Sequence, residues 1–153
     1  MDFPQWPSEQ EDSESGIFFH VEDVSTDLSG ETAWRDWLFA VAAAEQQRVQ
    51  AVHYIFCSDE YLRQINMDYL NHDYYTDIIT FPYDDPGNLY GDLYISVERV
   101  AENAAMHHVT TAQELCRVMV HGLLHLAGYG DKTPEEVRLM RKKEEEYLHL
   151  LSK

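Results

Sequence analysis

Apolar positions recur along this chain with two distinct periods, and the switches between them outline its elements. From Ile17 to Val24 the residues Ile17, Phe19 and Val21 fall on one side, which predicts a first strand. Ala33 to Glu45 changes to helical spacing, with Trp34, Trp37, Leu38 and Val41 in one stripe. Val49 to Cys57 is apolar on both faces, the pattern of a strand in the middle of a sheet. Ser58 predicts a helix N-cap, with Asp59 and Glu60 in the first turn and Leu62, Ile65 and Tyr69 facing inward.

Asn71 to Thr76 is polar and reads as a loop before a short strand, Asp77 to Phe81. Pro82 to Gly87 has turn composition. Leu93 to Ser96 is a further strand, and Val97 to His107 a helix with Val97, Val100, Ala101 and Ala104 at helical spacing. Thr111 and Glu114 predict a capping box for the next helix, whose inner stripe is Leu115, Val118, Met119, Gly122 and Leu126. Thr133-Pro134-Glu135-Glu136 predicts a second one, with proline in the first helical position. Val137, Met140, Tyr147, Leu148 and Leu151 form the inner face of the last helix. Interleaved strands and helices predict an α+β fold. It is a single compact domain in which a small mixed sheet of about four strands packs with about five helices.

Length and charge narrow the picture. The 153 residues suit one domain with a real core, since 44% are hydrophobic. No apolar run is long enough to span a membrane, and Met1 to Gly16 lacks the basic start and apolar stretch of a secretory signal. Cys57 and Cys116 are far apart in apolar surroundings, as expected of buried free thiols in a reducing cytoplasm. A net charge of −17 argues against nonspecific binding to a nucleic-acid backbone, and no DNA or membrane partner is expected. Met1 to Gly16 carries Asp2, Glu9, Glu11, Asp12 and Glu14 with no Lys or Arg, and is expected to be a flexible acidic tail.

The chemistry is concentrated in His121-Gly122-Leu123-Leu124-His125 and in Asp131 six residues later. Two histidines four apart share one helix face, and Gly128 and Gly130 let the chain turn back behind them. Asp131 then becomes a third ligand for one small cation, on a helix central to the fold. Three ligands leave room for water, which favours catalysis over structural support. Ordinary hydrogen-bonded histidines are the alternative, but unpaired polar groups in such an apolar run would be costly. The zincin motif needs glutamate directly after the first histidine, and here Gly122 removes that base. No residue of the motif offers itself as a general base, so the catalytic acid or base is left unassigned.

Elsewhere the residues carry milder expectations. His107 and His108 suit a helix end, and His20, His53 and His149 suit structural roles. His72, in a polar loop before Thr76-Asp77, is a candidate for touching substrate. Tyr74, Tyr75 and Tyr83 are able to stack on bases, although packing is the commoner use. Arg141-Lys142-Lys143 followed by Glu144-Glu145-Glu146 reads as a solvated helix face.

From Ile17 to the C-terminus the chain resembles the YbeY family of bacterial endoribonucleases. The resemblance is anchored in His121 to Tyr129 (HGLLHLAGY) and supported by Thr76 to Phe81 (TDIITF) and Gly91 to Ser96 (GDLYIS). It implies that residues 17–153 form a metal-dependent endoribonuclease-like domain, with zinc or another divalent ion held by His121, His125 and Asp131. It also implies single-strand-specific cleavage in 16S rRNA 3′-end maturation and ribosome quality control. The implied partners are ribosomal RNA and the small subunit, with a ribosomal protein and an assembly GTPase. Two positions depart from the family: Asp131 stands where a third histidine is usual, and Leu70 where an arginine is usual. A carboxylate is an acceptable zinc ligand, though it makes other divalent ions more competitive. Lys132 is then a candidate replacement cation for substrate phosphate. The alternative is a ribosome-assembly or ribosome-binding factor whose metal is purely structural.

Overall fold

The computed structural model describes residues 15–151, so the expected acidic tail lies almost wholly outside the described residues. The elements are β1 (Gly16–Val21), α1 (Glu31–Ala44), β2 (Arg48–Cys57), α2 (Asp59–Leu70), β3 (Ile78–Pro82), β4 (Asn88–Ser96), α3 (Val97–Met106), α4 (Thr111–Leu126) and α5 (Pro134–Leu151). The four strands form one mixed sheet in the order β1-β2-β4-β3. β2 runs parallel to β1 and β4, while β3 pairs antiparallel with β4. Pro82 ends β3 at the open edge, where a missing N–H breaks no central ladder.

Alternation along the two middle strands explains why they are apolar on both faces. Val52, Tyr54 and Phe56 of β2 point into the larger core with Leu89, Leu93 and Ile95 of β4. Ile55 and Cys57 point the other way, joining Tyr94, Ile79, and Leu62 and Ile65 of α2. The larger core also takes Trp37, Leu38 and Val41 of α1, Met140 and Tyr147 of α5, and most of the buried face of α4. α4 packs against α1, α3, α5 and the β3–β4 edge, which makes it the central helix. Two interior hydrogen bonds tie this layer down. Tyr54 Oη donates to the Met119 carbonyl, and Trp37 Nε1 to the Tyr147 carbonyl, each at 2.7 Å.

Several expectations shift when tertiary pairing is added. β4 begins at Asn88, five residues before the predicted Leu93, because it pairs with β2 from Asn88 onward and with β3 from Gly91, and the ladders override the poor strand propensity of Asn88, Gly91 and Asp92. Gly16, assigned to the tail, opens β1 opposite Ala51. The capping box of α4 is one residue earlier than predicted. Thr110 Oγ1 accepts from the Gln113 N–H and Gln113 Oε1 from the Thr110 N–H, leaving Glu114 to turn inward. Val137, assigned to the inner face of α5, is exposed, since the buried stripe runs through Met140, Glu144 and Tyr147.

Candidate metal centre

α4 carries His121 and His125 one turn apart, with their ring centroids 4.6 Å from each other and the planes at 84°. The helix stops at Ala127, and Gly128 takes φ +109°, a left-handed conformation that reverses the chain. Five residues on, the predicted capping box at Thr133 is formed. Thr133 Oγ1 accepts from the Glu136 N–H, and Glu136 Oε1 accepts from the Thr133 and Lys132 N–H groups. Asp131 is therefore held between two ordered helix ends, with its carboxylate turned back over α4.

Asp131 Oδ2 lies 3.2 Å from His125 Nε2 and 3.7 Å from His121 Nε2. One ligand atom from each of the three residues falls within a mutual distance of 4.8 Å. Donors about 2.0–2.1 Å from a tetrahedral ion are about 3.3 Å apart, so the spacing suits one small cation.

The far sides of the rings decide how the near sides are used. His121 Nδ1 is 2.7 Å from Glu144 Oε2, and His125 Nδ1 is 2.8 Å from the Tyr129 carbonyl. Both acceptors lack a proton of their own to give, so each ring commits its Nδ1–H outward. That fixes the tautomer and turns both Nε2 lone pairs toward Asp131, the arrangement that metal-ligating histidines adopt. Two lone pairs facing a carboxylate oxygen repel unless a cation or added protons stand between them. The donor set therefore fits a divalent ion.

The surrounding charges favour positive charge at this place, whether carried by a proton or by a cation. Burial works to depress the His121 imidazole, but the Glu144 hydrogen bond and the charges of Glu144, Asp131 and Asp77 outweigh it and hold it above its ordinary value. Burial works to raise Glu144, yet His121 and Arg117 hold it below the usual range. Arg117 Nη1 reaches Glu144 Oε1 at 2.9 Å and Arg117 also pairs with Glu145. Burial pushes the Asp77 carboxyl up, partly offset by His121.

Two cavities meet at this centre and share Asp77, Ile78, His121 and Asp131. One, of about 320 Å³, extends past Asn103, Arg117, Arg141 and Glu144. The other, of about 600 Å³, takes in His125, Lys132, Leu70, Tyr74 and Thr76. Lys132, chosen from the sequence as a substrate contact, thus lines the larger cavity. His72 does not; it stacks on Tyr74 and its Nδ1 is 3.0 Å from Tyr74 Oη, so Tyr74 is the member of that pair that faces the site. Tyr75 and Tyr83 are engaged with Glu60 and Asp92. Gly122 is explained by packing. A Cβ there would lie 2.3 Å from Leu93 Cδ2 and 2.8 Å from Ile78 Cδ1, so no glutamate fits at the zincin base position.

Glu144, Arg117, Asp77 and Arg141 were not singled out as site residues from the sequence. For Glu144 a signal existed: it lies on the stripe Met140–Glu144–Tyr147–Leu151, one turn after Met140. The expectation of a solvated face for Glu144 is thereby corrected, since the helix turns it into the core while Glu145 and Glu146 stay outside.

Fold and site together define a small α+β protein with a candidate metal centre that is open to solvent through two cavities. The chain belongs to the endoribonuclease YbeY family, whose model, described as Endoribonuclease YbeY, matches residues 19–152. Endoribonuclease YbeY of Cytophaga hutchinsonii is 49% identical over 138 residues, covering 90% of this chain and 96% of the relative. The protein of the same name from Amoebophilus asiaticus is 43% identical over 135 residues, covering 88% and 92%. Among solved structures, the solution structure of TM1509 from Thermotoga maritima superposes with a TM-score of 0.65 at 26% identity, covering 88% of each chain. Membership of this family supports an RNA-hydrolysing, endonucleolytic role. Among the described residues, no helix is long and apolar enough to cross a membrane.

Proposed function

We propose that the protein is a metal-dependent, single-strand-specific endoribonuclease acting in 16S rRNA 3′-end maturation and ribosome quality control. The observation that carries the metal dependence is the pairing of each Nδ1 with a fixed acceptor, which gathers His121 Nε2, His125 Nε2 and Asp131 Oδ2 around one point as the ligands for one ion. Zinc is the proposed ion, with other divalent metals competing because one donor is a carboxylate. The rRNA assignment is our proposal, drawn from the resemblance to the family. So are the cytoplasmic location and the partners: the small subunit, a ribosomal protein and an assembly GTPase.

A divalent ion held by His121, His125 and Asp131 would polarise a phosphoryl oxygen and lower the pKa of bound water. The chain's own part is to hold and orient. Glu144 and the Tyr129 carbonyl keep the imidazoles from rotating. Asp131 offsets part of the positive charge, and Asp77 lines both cavities beside His121, placed to accept a hydrogen bond from an incoming hydroxyl. The exposed Asp131 and the two open cavities favour this reading over a purely structural metal, which would be enclosed.

The test combines elemental analysis with cleavage of a single-stranded rRNA precursor. Wild type carries about one metal ion per chain and cuts; Asp131→Ala and His125→Ala lose metal and cutting together. Full metal in Asp131→Ala removes that carboxylate from the ligand set. Chelator-induced unfolding with no cleavage by the metal-replete protein supports the structural alternative instead. The product ends, 3′-hydroxyl or 2′,3′-cyclic phosphate, distinguish attack by water from attack by the RNA 2′-hydroxyl.

A further inference from the structure

An acidic protein that handles a polyanion must leave some cation uncommitted where the strand lies. Among the described residues, Arg35, Arg63, Arg99, Arg117, Arg138 and Lys143 are each ion-paired with a carboxylate. Four lysines and arginines of the described chain remain outside any such pair: Arg48, Lys132, Arg141 and Lys142. Two of these four, Lys132 and Arg141, line the two cavities that meet at His121 and Asp131, one in each.

We propose that Lys132 and Arg141 are the phosphate-gripping cations of this site. A single-stranded polynucleotide runs through both cavities and passes over His121 and Asp131 between them. Both side chains are exposed and free to reach a phosphate. Lys132 follows Asp131 directly, and its N–H donates to Glu136 Oε1 at 3.0 Å, which fixes the backbone that carries it. Arg141 belongs to the same helix as Glu144, one turn earlier, so it is placed by the element that orients His121. Of the acidic groups in its cavity, Glu144 is paired with Arg117 and Glu114 lies 3.5 Å from His107 Nδ1, while Asp77 and Asp131 belong to the part shared with the second cavity. Arg117 does not serve, because two glutamates already occupy its guanidinium.

Affinity for a polyanion falls with salt, and the slope counts phosphate contacts, at about 0.7 per contact on a single strand. The assignment rests on the nuclease reading, but its test does not need cleavage. The probe is a fluorescent single-stranded 2′-O-methyl oligoribonucleotide, followed by anisotropy with the metal-replete full chain from about 50 to about 200 mM potassium chloride, its integrity verified on a gel. Lys132→Gln and Arg141→Gln are each expected to reduce the slope of log K against log salt by about 0.7, to similar extents on unrelated sequences. Arg48→Gln and Lys142→Gln are expected to leave it unchanged. An unaltered slope in either Lys132→Gln or Arg141→Gln overturns the assignment, as does an equal loss in the two controls. Wild type that binds with the expected slope yet never cuts an unmodified strand defeats the nuclease reading alone and leaves the assignment standing.

Discussion

His121 Nδ1 and Glu144 Oε2 are 2.7 Å apart, a hydrogen bond that joins the candidate ligand helix to the last helix across 23 residues of chain. Glu144 is buried and also held by Arg117, so the imidazole is anchored to a group that cannot itself swing away. Partners of this kind are worth about 10–100-fold in metal affinity. Glu144→Gln is therefore expected to weaken zinc binding by that factor, measured by competition with a chromogenic chelator. An unchanged dissociation constant in a folded variant would show that the ring needs no such anchor.

Gly122 faces the sheet with no room for a side chain. Gly122→Ala forces Leu93 and Ile78 to move, an overpacking that costs about 1–3 kcal/mol. The expected result is a lowered melting temperature and, because His121 is the adjacent residue, weaker metal binding. A variant as stable as wild type would mean that the two side chains rearrange freely.

Glu45 ties three elements together. It accepts from Tyr129 Oη at 2.7 Å and from Tyr147 Oη, and pairs with Lys143 Nζ at 3.5 Å. Burial works to raise its carboxyl, but these partners hold it below the usual range. Glu45→Ala is expected to cost about 1.5–3 kcal/mol, since hydrogen bonds to a charged group are the stronger kind. Tyr129→Phe loses one of these contacts and costs less. Chemical denaturation of both variants measures the difference, and equal losses would contradict it.

Stability should fall on acidification through His53. Its imidazole, buried against His20, is pushed down from 6.5 to about 4, first by burial and then by the charge of His20. Between those values the unfolded chain takes up the proton and the folded chain does not. The contribution is therefore complete above about pH 6.5 and disappears as pH falls toward 4. Urea midpoints at neutral and at mildly acidic pH provide the measurement. In His53→Gln the decline should be shallower; an identical decline would assign it to other groups.

Much of this molecule is legible without coordinates, and the limits have physical causes. The His121–His125 spacing and the Gly128 turn are local, so their geometry follows from helix periodicity and backbone freedom alone. The second capping box is local too, and it forms where Thr133 and Glu136 predict. The α4 cap lies one residue before the position the local pattern suggests, because Thr110 and Thr111 are equally suitable hydroxyls and the inward turn of Glu114 favours Thr110. The early start of β4 depends on partners distant in sequence, which no local pattern reveals. Glu144 lay hidden inside a run of six charges, where charge counting and helical phase point in opposite directions and phase prevails.

The anchor for His121 is supplied by α5, a helix synthesised after the one that carries the ring. Until residue 144 has left the translating ribosome and α5 has docked, the first ring has nothing to set its tautomer. Assembly of the candidate centre thus waits for α5 to be made and docked, and a nascent molecule that stops short of it lacks the contact that orients the first ring.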